Sequence, residues 1–230
     1  MAETRRFDPN LTKKIAILGM LAGLSYALVA VFHTFPPVAA GFLRYDPKDI
    51  IITFAGFLYG PLYSVVISVV VSFLEMITIS TTGWWGFLMN VVSTCAFACT
   101  ASLIYWKKRD FWGAVIGLAS AVIFTTGVMI VWNWLITPIY MKVPQAKVVA
   151  MLPTVFLPFN LLKTALNAAL VMLLYKPLTR ALKAADLVPA HPEGGEAPKK
   201  NVVVSGIIVS AIIMITSIIL IVLWQKYKIW

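Results

Sequence analysis

Asn160, Lys163 and Asn167 stand at i, i+3 and i+7 in FLPFNLLKTALNA, residues 156–168. That spacing puts two carboxamides and an ammonium on one stripe of a helix. The flanking residues are apolar enough to cross a bilayer, where a Lys costs at least about 2.5 kcal/mol and faces a protein interior or cavity. Two chemistries fit the stripe. In one, Lys163 forms a buried ion pair with Glu75 and the Asn residues act as interhelical glue. In the other, the amides offer donors and acceptors to the polar edge of a ligand while Lys163 donates to a carbonyl oxygen.

The elements that must hold these groups are membrane helices. The 230 residues are 60% hydrophobic and 12% charged, with a mean hydropathy of +0.89. Uncharged runs at 15–32, 50–74, 76–106, 111–141 and 201–225, with a further pair flanking Lys163, reach the length of about 20 residues that a spanning helix needs. The fold class is therefore an all-α polytopic membrane protein. The net charge of +10 is assigned to loops on the cytoplasmic side and not to nucleic-acid binding. Arg5, Arg6, Lys13 and Lys14 precede the first apolar stretch. At 15–32 it is longer than a signal-peptide core, which predicts a retained span.

Charge also counts the helices. With the N-terminus inside, a turn at Gly60-Pro61 places Lys107, Lys108 and Arg109 inside, together with Lys176, Arg180, Lys183, Lys199 and Lys200. One continuous helix over 50–80 would place both clusters outside. The expected helices run over 13–34, 48–59, 62–80, 84–106, 111–138, 154–176 and 201–224. The domains are a six-helix bundle over 1–183, a flexible cytoplasmic linker over 184–200 with its Ala, Pro, Gly and charge, and an additional membrane helix with a short outer tail over 201–230. The C-terminus then lies outside.

On this map Glu75, Asn90, Asn133, Asn160 and Lys163 all fall in the outer half, with Asn160 and Lys163 about 10–15 Å deep below an outer loop that closes near Pro153. Asn167 lies one turn below Lys163. Such one-sided depth favours a cavity open to the outside over a channel or proton relay. Trp84, Trp85, Trp132, Trp134, Tyr140 and Phe159 lie near the same level. They form an interfacial belt or, interleaved with the amides, stack on a flat heteroaromatic ligand.

Other chemistries are missing from the sequence. There is no GxxxxGK[ST] loop, HExxH or GxSxG, so an enzyme is not expected and no cofactor is called for. Cys95 and Cys99, four apart, read as small packing residues. Asp46 and Asp49 in RYDPKD, neutralised by Arg44 and Lys48, read as loop structure. In the first span Gly19, Gly23 and Ala27 form a small-residue strip for a close helix approach, inside the bundle or with a partner.

These stretches resemble the substrate-binding S component of energy-coupling-factor vitamin transporters of the riboflavin type. LGMLAGLSY, FLRYDPKDI, AGFLYGP, STTGWWG and LPFNLLK carry the likeness across about 15–176. The resemblance implies a six-helix bundle in the cell membrane that takes one vitamin from outside, under a lid between helices 1 and 2. It also implies a membrane coupling subunit and two cytoplasmic ATPase subunits. By the resemblance, flavin contacts fall on Asn133, Asn160 and Lys163, with Asn90, Asp46 and Thr82 completing the expected substrate set. The coupling-subunit contact falls on Gly19, Gly23 and Ala27. Two features depart from the family. Phe87 stands where an acidic residue often follows the glycine opening helix 4, and a seventh helix follows the linker. The alternatives are a paralogue for FMN or another vitamin, with Arg44 and Lys48 meeting a phosphate, and a non-transport structural protein with a buried Lys163–Glu75 pair.

Overall fold

The computed structural model describes residues 9–184 and the isolated helical positions 208, 211, 212, 214–216 and 219. The expected linker over 184–200 and most of the expected seventh helix lie outside the described residues. Within 9–184 the chain forms α1 Pro9–His33, α2 Lys48–Tyr59, α3 Pro61–Thr78, α4 Gly83–Lys107, α5 Phe111–Met141, α6 Gln145–Met151 and α7 Leu157–Ala184. Among the described residues, five helical stretches are long and apolar enough to cross a membrane: Leu11–His33, Pro61–Thr78, Gly83–Lys107, Phe111–Met141 and Gln145–Leu178.

α2 is not one of them. Its 12 residues span about 18 Å against a hydrocarbon core of about 30 Å. Every one of those residues is buried, Lys48 and Asp49 included. α2 fills the centre of the bundle, its Ile52, Phe54 and Leu58 packed among Phe97 and Ala101 of α4, Leu118 of α5 and Val171 of α7. The turn that ends it is the one charge had located. Gly60 adopts φ +108°, a conformation L side chains rarely take, and Pro61 starts α3. Close approach around α2 also depends on glycine: a Cβ on Gly56 would lie 2.0 Å from Ser102 Oγ and 2.2 Å from Ser64 Oγ.

The described helices depart from expectation chiefly before α7, which itself runs on to Ala184 where an end at 176 was expected. Residues 145–153, assigned to a loop, are helical. α6 runs through a π-helical segment, Leu152–Phe156, into α7. Pro153 and Pro158 lack N–H groups and would each break an α-helical ladder, and the widened π turn between them keeps the chain helical. α5 likewise continues through Pro138 to Met141, closed by Lys142 in the left-handed region at φ 53°.

The segment 34–47 caps one end of the bundle, here termed the lid end. It folds as a tight hairpin, Ala39 bridging Leu43. Ala40 and Gly41 sit at φ 51° and 73°, the two positive values a type I′ turn requires. Ala39 and Leu43 bury against Val148, Val155, Phe156 and Phe159. Arg44 Nη1 ties the hairpin to the end of α1 by donating to His33 O (2.8 Å) and Phe35 O (2.5 Å).

Candidate functional site

Beneath the hairpin lies a cavity of about 320 Å³, within the size range of small-molecule sites. Asn133, Asn160, Lys163, Asn90, Asp46 and Thr82, drawn from three helices and two loops, all lie on its wall. α5 supplies Asn133, whose Nδ2 donates to Met129 O (2.6 Å) and whose Oδ1 accepts from Thr137 Oγ1 (2.9 Å). α7 supplies Asn160, held by Nδ2 donating to Phe156 O at 2.7 Å. An amide has four hydrogen-bonding positions, so both side chains are fixed and still have capacity facing the cavity. Lys163, 11% exposed, stands 4.0 Å from Asp49 Oδ2. That loose pairing, the one ion pair of Lys163 among the described residues, leaves ammonium donors for the cavity.

A second tier of charge supports this wall. Lys48, fully buried, donates from Nζ to Glu75 Oε1 (2.7 Å) and Oε2 (2.9 Å) and pairs with Asp46 Oδ2 (2.5 Å). Asn90 Nδ2 donates to Glu75 Oε2 at 2.6 Å. Glu75 therefore pairs with Lys48, not with Lys163 as one sequence reading held. The reason is position: Lys48 opens a helix buried in the bundle centre, where it reaches Asp46 and Glu75 together. The expected neutralisation of Asp46 and Asp49 by Arg44 and Lys48 changes as well. Lys48 serves Asp46, Arg44 turns to backbone carbonyls, and Asp49 faces Lys163.

Asp49, Asn167 and Tyr45 form a network that sequence reasoning missed. Asp49 Oδ1 accepts from Thr94 Oγ1 (2.7 Å) and Oδ2 from Asn167 Nδ2 (3.2 Å). Asn167 Nδ2 also donates to Asp46 O (3.3 Å), and its Oδ1 accepts from Tyr45 OH (2.6 Å). Burial, then the Asp49 and Asp46 carboxylates, push the Tyr45 phenol above its usual range, so it donates at any physiological pH. Asn167 thus clamps the root of the hairpin to the helix that carries Asn160 and Lys163. The available signal was RYDPKD itself, since charges running into an apolar helix need buried partners. Removing the Tyr45 hydroxyl in Tyr45→Phe deletes a bond worth about 0.5–1.5 kcal/mol. It is expected to speed ligand release more than it slows capture, as stopped-flow kinetics would resolve.

Two groups of sequence candidates sit elsewhere. Of the six aromatics placed at this level, Tyr140 and Phe159 line the cavity. Trp84, Trp85 and Trp134 are exposed on the outside of the bundle and Trp132 lines a separate groove on α5, which suits an interfacial belt. Gly19, Gly23 and Ala27 are exposed on α1, and a Cβ on either glycine would meet nothing within 4 Å. The strip therefore packs against no other described helix.

A membrane bundle with a central half-length helix and a hairpin-covered polar cavity defines a solute-binding membrane subunit. Residues 13–175 match the family model for the ECF transporter, substrate-specific component, and the chain belongs to that family. It is 26% identical over 186 residues to the riboflavin transporter RibU of Staphylococcus aureus (strain TCH60), covering 78% of this chain and 97% of that one. A solved chain, from work on the structure and mechanism of the S component of a bacterial ECF transporter, superposes with a TM-score of 0.64 at 26% identity. That match covers 75% of this chain and 99% of the other.

Proposed function

We infer that this S component captures riboflavin from outside the cell and delivers it through a membrane coupling subunit driven by two cytoplasmic ATPase subunits. The observation that carries this is the convergence of Asn133, Asn160 and Lys163 on one covered cavity. Two amides and an ammonium match the alternating carbonyl and N–H edge of a flavin ring, and Tyr140 and Phe159 offer aromatic faces to its plane. The relationship to RibU points the same way. Asn90, Asp46 and Thr82 are assigned to the rest of the ligand, and no resident cofactor is invoked. The N-terminus is placed in the cytoplasm and the C-terminus outside by the distribution of basic residues. Residues 1–183 form the binding bundle, with 184–200 a linker and 201–230 an added helix.

Riboflavin titrated into the purified protein, followed by quenching of flavin fluorescence, should saturate at one site. Absence of saturable binding would remove the assignment. An FMN-selective site would show affinity falling as salt rises, because a phosphate contact is screened. Lys48 has no donor for such a phosphate, being fully buried among Asp46 and Glu75, so of the two residues expected to meet a phosphate only Arg44 lines the cavity. The structural-protein reading loses its Lys163–Glu75 pair to Lys48.

The open strip of Gly19, Gly23 and Ala27 is assigned to the coupling subunit, since small residues let two helices approach closely in lipid. Gly23→Leu, pointing into open space, is expected to leave riboflavin affinity unchanged and to abolish co-purification with the coupling subunit. Normal complex formation would place that contact on another face.

A further inference from the structure

The turn between α4 and α5 gathers Lys107, Lys108 and Arg109 beside the carboxylate of Asp110. That carboxylate is already engaged. Its Oδ1 accepts from Gly113 N (2.6 Å), and its Oδ2 stands 3.6 Å from Lys108 Nζ. Lys107 and Lys108 are exposed. Lys14, at the same end of the bundle, instead spends its ammonium inside the protein. It donates from Nζ to Tyr63 OH (2.6 Å) and lies 4.0 Å from the centroid of that ring.

Arg109 is set on a platform. Its guanidinium carbon lies 3.9 Å from the centroid of the Trp106 ring. That ring is held in turn by Nε1 donating to Gly56 O (2.9 Å) and Phe57 O (3.2 Å). Stacking uses the flat face of a guanidinium and leaves the edge that carries its N–H donors, the edge that grips a phosphate in two places.

Depth defines the rest of the surface. The turn joins two spanning stretches, Gly83–Lys107 and Phe111–Met141, so its charges stand at the boundary between lipid and water. Trp112, 50% exposed, opens α5 at that same level, where tryptophan is at home. Leu103 and Ile116, 51% and 50% exposed, lie one helical turn, about 6 Å, deeper than Lys107 and Trp112. Cations at the boundary above exposed aliphatic side chains fit a molecule with an anionic head and a hydrocarbon tail. An acidic protein segment would use the charges and leave the apolar track below them uncovered.

We propose that this turn binds the phosphate headgroup of an anionic phospholipid, with its acyl chains lying on Leu103 and Ile116. A basic residue close to the membrane surface gives anionic lipid a preference of about five-fold. Nothing in this proposal depends on the identity of the transported solute.

The test uses the full-length protein, with Cys95→Ser and Cys99→Ser removing the native thiols, in bilayers that mix phosphatidylcholine and phosphatidylglycerol. A bimane label on Ile116→Cys reports which lipid lies beside the turn, through quenching when one lipid or the other carries brominated chains. Phosphatidylglycerol is expected to be preferred at least about five-fold there, and the preference should fall toward none when Lys107→Gln and Lys108→Gln remove the exposed charges. The same label on Ile77→Cys, 60% exposed near the lid end, should show no preference. Equal quenching by both lipids at position 116 would overturn the proposal. So would a preference that survives in the double variant while co-purification with the coupling subunit is lost, which would give the turn to a protein. So would a preference abolished by inorganic phosphate but not by chloride at equal ionic strength, which would mark a site for the free ion.

Discussion

Lys163→Met is expected to weaken riboflavin binding by about 10- to 150-fold, the equivalent of a charged hydrogen bond worth about 1.5–3 kcal/mol. The protein should stay folded. Among the described residues Lys163 makes a single ion pair, at 4.0 Å with Asp49, and Asp49 keeps its bonds from Thr94 and Asn167 when the ammonium goes. Titration gives the affinity and thermal unfolding in detergent gives the stability. Unchanged affinity in a folded variant would sink the assignment of Lys163 to the ligand.

Lys48→Met should behave in the opposite way. Removing this buried ammonium leaves Asp46 and Glu75 without their cation in the middle of the bundle, a change of the kind that costs about 3–5 kcal/mol. The expected result is a large fall in unfolding temperature, with loss of binding following from loss of structure. Adding Glu75→Gln removes one stranded charge and should recover part of the stability. The same Glu75→Gln change paired with Lys163→Met should recover nothing, because Glu75 bonds to Lys48 and Asn90. A Lys48→Met protein as stable as the parent would show that this pairing does not hold the bundle together.

The contrast between these two lysines marks what could be read from the chain. Lys163 was legible because it interrupts a spanning run at helical spacing from two amides, so its burial followed from periodicity alone. Lys48 was not, because RYDPKD carries the density of charge and the proline of a surface loop. Only the central position of α2 reveals that its first turn is interior. The pairing of Glu75 was out of reach for a related reason. Depth places a side chain along the membrane normal, whereas a partner is chosen by which helices are neighbours. The turn at Gly60-Pro61 was found because two distant basic clusters depend on it. The helix over 145–153 was hidden by Pro153, since reading proline as a breaker takes no account of a π turn that absorbs it.

The half-length α2 also constrains how this molecule is made. A 12-residue helix that opens with Lys48 and Asp49 is too short and too polar at its start to partition into lipid by itself. It carries no face that lipid could wet, since all of its residues are buried. Its entry must therefore follow the arrival of the helices around it, with Pro61–Thr78 as the apolar leg of a helical hairpin that draws it in. Biogenesis then has an obligatory order, in which spanning helices are threaded first and the centre is filled last. The ion pairs of Lys48 close only at that final step.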